Sequence, residues 1–485
     1  MKSAFAVIAT SCLALVSSPL FAGQTSAEHA ATPTNRLIVL SDIGADPDDT
    51  ESMVRLLLYS DEIDIEGLIA TTSVWKQSSV SPDLIRAVVR AYTKVQPNLL
   101  KHDPRYPSGA SIEALIKQGL PDYGMRGVGS GKDSQGSDWI IRELKKDDAR
   151  PLWVTAWGGV NTLAQALYEL RKTETPSDLA RLVAKLRVYT ISDQDDAGPW
   201  IRKNFPKLFY IVDPGGDYGR STWIGINSVV DGIDNSKISN AWLAHNIQQG
   251  HGPLGAAYPD VSWGMEGDTP SWLNLIPNGL SIPDRPDWGG WGGRYVLKTP
   301  VVPVTDPKTF LDGKPIPQET RPIWTGTTDT YTPAVHPDYG RSARNGEKSF
   351  TGPKVTLWRW RDDFQNDFAA RMLWTTRSYD EANHPPHVVL NEPDRITVKS
   401  GQSFGVSAEA SSDPDGDSLS YYWFQYPEAG TYKGKLDIGV ENGAGIWLTA
   451  PKVERPETVH LIVRVTDKGS PPLSRYGRVV ITILP

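Results

Sequence analysis

The chain has 485 residues, with 50 Lys and Arg against 57 Asp and Glu and a formal net charge of −7. That balance, with no basic run, argues against a nucleic-acid polymer as partner. The single cysteine, Cys12, excludes a disulfide framework. There are 17 tryptophans, flat apolar side chains that fill cores or stack on sugar rings and bases.

In chain order, Met1-Lys2, an apolar run from Ala4 to Val16 and the stretch Ser17 to Ala22 read as a secretory signal peptide, residues 1–22. The protein is therefore expected to be secreted or periplasmic. The run is too short for a membrane span, and no later stretch is long and apolar enough to be one. About 460 residues remain, enough for two or three domains. Residues 23–35 read as a polar leader.

Next comes an apolar strand, 37–41, and a loop carrying Asp42, Asp46, Asp48 and Asp49, followed by a helix at 50–60 with apolar spacing Met53, Val54, Leu57, Leu58. One such carboxylate needs no role beyond an N-cap or Asx turn. Four within eight residues repel each other unless a cation or a basic partner compensates. Oxygen ligands at this density suit Ca²⁺ or Mg²⁺. Further strands are expected at 65–72, 151–156, 186–192 and 207–213, with helices at 82–94, 137–146, 160–171, 197–204 and 236–248. Apolar strands alternating with helices predict an α/β fold with a mostly parallel sheet covered on both faces. Such sheets bind ligands in the crevice at their carboxyl ends.

From 252 to 350, Pro, Gly, Trp and Asp dominate, the texture of a long functional loop region. A helix at 362–375 closes a domain spanning 36–378. After a Pro-containing linker at 380–388, period-2 runs predict an immunoglobulin- or cadherin-like β-sandwich over 388–485. Asp413-Pro414-Asp415-Gly416-Asp417 reads both as turn chemistry and as spaced oxygen ligands for a cation.

The run SDIGADPDD at 41–49 resembles the Asp-x-Asp-Pro-Gly-x-Asp-Asp signature of nucleoside hydrolases. Asp48 and Asp49 match its closing pair. Without a gap, Asp42 matches its first Asp and Gly44 its second; a two-residue insertion puts Asp42 at the second instead. TAWGGVNTLA at 155–164 is similar to the family's strand-then-helix element, with Asn161 and Thr162 in exchanged order. HGPL at 251–254 resembles its late His-Asp-Pro-Leu motif with Gly252 replacing Asp, and Glu266, Asp268 or Asp367 are candidates for the lost carboxylate. The chain also resembles, through ISDQDDAGPWIRKNFP, EGDTPSWL and WGGWGGRY, secreted bacterial proteins that join a nucleoside-hydrolase-like domain to a C-terminal sandwich, some described as cellulose-binding.

These resemblances imply a hydrolase of an N-glycosyl or related glycosidic bond. Ca²⁺ would be held by Asp42, Asp48, Asp49 and Asp268, with Asp42 and Asp49 in catalysis. Asn161, Asp193, Gln194, Asp195, Asp196, Trp200, His251, Glu266, Trp288 and Trp291 are expected around a small glycoside or polysaccharide. The alternative is a carbohydrate-binding protein on a hydrolase fold, without turnover.

Overall fold

A computed structural model describes Met1 and residues 34–215, 219, 222–302, 316–333 and 348–485. The expected signal peptide and leader lie outside the described residues, apart from Met1 and the two residues at 34–35. Thr34–Pro485 forms one compact unit.

Its α/β part is built on an eight-stranded sheet. The strands are β1 (Asn35–Ser41), β2 (Ile63–Ala70), β3 (Ile116–Gln118), β4 (Leu152–Ala156), β5 (Leu186–Thr190), β6 (Phe209–Ile211), β7 (Tyr295–Lys298) and β8 (Ile323–Gly326), in the order β3-β2-β1-β4-β5-β6-β8-β7. All neighbours are parallel except β7 and β8. Strand β1 shows why the apolar runs form this sheet. Leu37 and Val39 enter the apolar cluster on one face, and Ile38 and Leu40 enter the cluster on the other. A strand buried on both faces needs no polar alternation. The chain runs β1 to β3 toward one edge and resumes at β4 on the other side of β1. The topological switch point therefore lies between β1 and β4.

Most expected elements are present with shifted ends. The first helix spans Asp48–Leu57, and the second spans Pro82–Leu99, continuing through Pro97. The segment 236–248 is broken into a 3₁₀ turn, a short α-helix and a π turn. Edge strand β3, the helix Pro176–Lys185 and strands β7 and β8 were not foreseen. No helix among the described residues is long and apolar enough to cross a membrane.

A two-stranded ribbon, β9 (Asp329–Tyr331) and β10 (Phe350–Gly352), precedes the C-terminal part, which is a β-sandwich. One layer is β11 (Arg395–Lys399), β16 (Ser474–Leu484), β15 (Glu457–Thr466) and β13 (Ser420–Gln425); the other is β12 (Ser403–Ser407) and β14 (Gly445–Thr449). Trp423, Leu448, Val463 and Val479 belong to the apolar core of this part. Asp413 accepts from the backbone of Asp415 and Asp417, so this loop is a turn, and Asp415 holds His384 of the linker at 2.9 Å.

The sandwich and the α/β part share a core. Trp291, Trp360 and Phe364 lie in one apolar cluster with Tyr426, Ile462 and Tyr476. Trp291 donates to the Tyr476 hydroxyl at 3.2 Å, and Trp288 packs edge-on against His460 with centroids 4.6 Å apart. Trp288 and Trp291 were expected to face a ligand. Both are instead buried at this junction, because the loop at 278–291 is covered by β15 and β16. Truncating a fully buried aromatic here should cost about 3–5 kcal/mol. Trp291→Ala should therefore lower the denaturant midpoint, with α/β and sandwich signals still lost in one transition. Separate transitions in the wild-type chain would contradict a shared core.

Candidate functional site

At the end of β1 the chain turns sharply. The amide of Ala45 donates to the carbonyl of Asp42 at 3.1 Å, and Gly44 has φ +90°. A turn of this kind requires a positive φ at its third residue, which glycine adopts without strain. The turn sends the Asp42 side chain into the crevice and delivers the chain to the first helix. Asp48 and Asp49 lie in that helix's first turn, where the positive end of the helix dipole favours carboxylates. Asp46 accepts from the amide of Asp48 at 3.3 Å, Asp48 from the amide of Asp49 at 2.9 Å, and Asp49 from the hydroxyl of Ser41. Just past the neighbouring strand β4, a Cβ at Gly158 would lie 2.6 Å from Asp42 Oδ1, so glycine lets the two loops close around this carboxylate.

A fifth carboxylate, Asp268, arrives on a strained loop. Glu266 has φ +51°, a conformation costly for a residue with a side chain. It is held there by Arg55 at 2.9 Å, Tyr258 at 2.9 Å and Thr269 at 3.0 Å. The next residue, Gly267, passes so close to Trp223 and Asp48 that a Cβ would fall 2.0 Å from Trp223 Nε1. That indole donates to Asp48 at 2.7 Å. Asp268 Oδ2 is buried and has no hydrogen-bond partner among the described residues.

These groups line one cavity of about 460 Å³, with Asp42, Asp46, Asp48, Asp49 and Asp268 joined by Gln194 and the indoles of Trp75, Trp157, Trp223 and Trp263. Trp75 and Trp263 are 52% and 76% exposed, whereas Trp157 is buried and donates to Ser271 at 3.1 Å. Burial and the neighbouring carboxylates push Asp48 and Asp268 well above the usual carboxylate range. Asp49 moves the same way, mainly through burial and then Asp42. Burial raises Asp42 to about 6, against a hydrogen bond with Ser73. Lys76 is attracted to Asp42 and Asp49, but its ammonium is already bound to the Ile43 carbonyl and Ser81 hydroxyl, each at 2.6 Å. Asp46, Asp48 and Asp49 each offer an oxygen within 4.8 Å of the others. That donor set, with the orphaned oxygen of Asp268 beside it, fits a hard divalent cation.

Residues 36–295 match the family described as cellulose-binding Sde182, nucleoside hydrolase-like domain, and residues 403–483 match that described as cellulose-binding protein Sde0182, C-terminal domain. The chain belongs to this family. A solved structure of a nucleoside hydrolase-related hypothetical protein from Saccharophagus degradans, described as associated with carbohydrate metabolism, is similar at 36% identity over 93% of this chain and 100% of its own, with a TM-score of 0.77. The type III effector XopQ, solved with adenosine diphosphate ribose, is 12% identical over 52% of this chain and 69% of its own, with a TM-score of 0.29, too slight a likeness to carry an argument. Among proteins with curated descriptions, none matches.

Within this Sde182-type scaffold, only part of the expected site converges. Gly44 cannot stand in for the nucleoside hydrolases' second Asp, because a Cβ there would meet Leu84 at 2.7 Å, on a strained backbone. Of the loop at 193–196, only Gln194 lines the cavity. Asp193 forms a two-pronged pair with Arg202 at 2.8 and 2.9 Å. Asp195 accepts from the amides of Asn161 and Ala197, and Asp196 from that of Met125. Asn161 spends its amide on Thr71, Thr72 and Asp122, and Trp200 packs against Phe205. His251 is turned toward the His245 carbonyl, and Glu266 positions the loop rather than facing the cavity. Asp367 is consumed by Arg371 and Arg475. Trp75, Trp157, Trp223 and Trp263 were missed, although Trp75 and Trp157 closely follow β2 and β4, where the crevice lies.

The electrostatics predict how the cation-free protein responds to pH. A carboxyl raised in the folded state binds its proton more tightly folded than unfolded. Its stabilising contribution is present below the unfolded value of 3.8 and is lost as pH rises through the folded value, about 6 for Asp42. With chelator present, thermal stability should fall between roughly pH 4 and 7, and added Ca²⁺ should restore progressively more across that window. A melting temperature in chelator that is flat or rising across it would contradict this.

Proposed function

We propose that the cavity is a cation-dependent carbohydrate site, in a secreted protein, that hydrolyses an N-glycosyl or related glycosidic bond of a small glycoside or a chain end. One observation carries this reading. Five carboxylates converge on a single indole-lined cavity of about 460 Å³, a volume typical of small-molecule sites. The family's cellulose-binding description and its relative's association with carbohydrate metabolism support a sugar as ligand.

A bound divalent cation would supply Lewis-acid activation of water. Asp46, Asp48 and Asp49 would hold it, with Asp268 completing the set. Asp42, which shares the cavity with these carboxylates, is the candidate base. The Nε2 group of Gln194 donates to the Trp157 carbonyl, and its buried Oε1, without a partner among the described residues, could accept from a sugar hydroxyl. Trp75 and Trp263 offer exposed ring faces for stacking.

A second reading, binding without turnover, is favoured by one feature. No His, Tyr or Lys lines the cavity among the described residues, so protonation of the leaving group falls to an aspartate.

With Ca²⁺, the purified protein should release free sugar from at least one member of a nucleoside and aryl-glycoside panel. Asp42→Asn should lower kcat by about 10²–10⁴-fold while ligand binding, read by tryptophan fluorescence, persists. Binding without turnover in the wild type would leave the second reading, and neither binding nor turnover would defeat both.

A further inference from the structure

The sandwich carries a second aromatic feature, remote in sequence from the cavity. Along β14, Ile446 and Leu448 point into the sandwich core, and Trp447 between them points outward, 79% exposed. Its cross-strand partner on β12 is Gly405. A Cβ built on Gly405 would lie 3.4–3.5 Å from three fused-ring atoms of Trp447, which is ordinary van der Waals contact. The indole therefore lies flat over the glycine backbone and turns its other face to solvent.

A carboxylate lies at the edge of this face, where Glu392 accepts from the Ser407 amide at 2.8 Å. The outward residues of the two strands are Ser403, Gly405, Ser407, Gly445 and Thr449, with the Ser403 and Thr449 hydroxyls paired at 3.2 Å. Covering a strand glycine accounts for the tilt of the ring. It does not account for the choice of the largest apolar side chain on an otherwise small, neutral face. A flat indole flanked by hydroxyls matches a pyranose ring, which is apolar on its face and hydroxylated at its rim. No outward residue of β12 or β14 is basic, which disfavours a phosphate or an anionic surface.

We propose that the outer face of β12 and β14, with Trp447 as its platform, is a second carbohydrate-binding surface that takes the flat face of an extended, uncharged β-linked glucan. This rests on the carbohydrate reading above but not on turnover in the cavity. A concave cavity admits a chain end, whereas an exposed plane can lie along the side of a polymer.

The test is partition of the full-length protein onto microcrystalline cellulose, for wild type, Trp447→Thr, Trp447→Tyr and the cavity variant Trp263→Ala. Threonine is a strong strand former, so the fold is expected to persist, with thermal unfolding as the check; Trp447→Val makes the same comparison if it does not. Losing the ring should weaken retention about tenfold, and Tyr should stay within about threefold of wild type. Trp263→Ala should weaken retention less than Trp447→Thr does. Equal retention of the ring-less variant and wild type, or no retention of wild type, would overturn the proposal. A cavity ligand found together with either result would leave the cavity reading standing. Retention that depends on Trp447 with no cavity ligand would do the reverse.

Discussion

Carboxylates forced out of water at one point repel each other, and much of this molecule is arranged around tolerating that repulsion. Three devices are visible. The first helix presents its positive end to Asp48 and Asp49. Lys76 is held close enough to act on Asp42 and Asp49. Gly158 and Gly267 remove the side chains that would keep the loops apart. One ammonium and a helix end do not balance five carboxylates in a shared cavity. A second tier lies behind them. Glu51 accepts from the Glu266 amide at 2.7 Å and is pushed up to about 9 by burial, while Arg55 serves Glu266 and stacks 4.0 Å from the Phe368 ring centre. The supporting charges are thus paired or neutralised, and those lining the cavity are left to a ligand.

The sandwich takes part in this arrangement. Arg478 on β16 donates to the carbonyls of Leu280, Trp288 and Gly289, and the amide of Tyr476 donates to the Asn278 carbonyl at 2.9 Å. Gly279 runs so close to Tyr476 that a Cβ would sit 1.9 Å from its carbonyl oxygen. The segment held this way is continuous with Asp268 and with Ser271, which takes the Trp157 indole. The C-terminal strand thereby fixes the loop that completes the acidic cavity. That coupling gives a physical reason for two parts of different architecture to share one core.

The local features of this fold were legible in the sequence. An apolar strand emptying into SDIGADPDD and a helix is a short-range pattern, and the strand-helix alternation marks a parallel sheet whose carboxyl ends form the crevice. The loop at 193–196 was not legible in the same way. Its acid density resembles that at 42–49, but a partner nine residues on, Arg202, neutralises Asp193, while backbone amides occupy Asp195 and Asp196. Nothing in local composition separates an acid with a partner from one without. The tryptophans failed for a related reason. WGGWGG looks like an exposed platform, yet its burial is set by β15 and β16, some 170 residues downstream. Trp75 and Trp263 sit in loops with no periodicity to expose them.

The shape of the two aromatic surfaces bears on how a hydrolase-like fold and a cellulose-binding description meet in one family. A cavity of about 460 Å³ has the volume of a small-molecule site, not of a surface that lies along a polymer. Buried carboxylates, costly to hold together, are of use there only to a ligand that brings or shares a cation. A flat neutral face needs no such chemistry, and its indole costs little beyond its own exposure. Attachment and bond cleavage therefore make different demands on charge, depth and rigidity. Placing them on separate surfaces would let the sandwich hold a polysaccharide at Trp447 while its opposite layer, through β16, keeps the acidic cavity in register. On that arrangement the hydrolase and binding readings describe two surfaces of one protein, not rival fates of a single site.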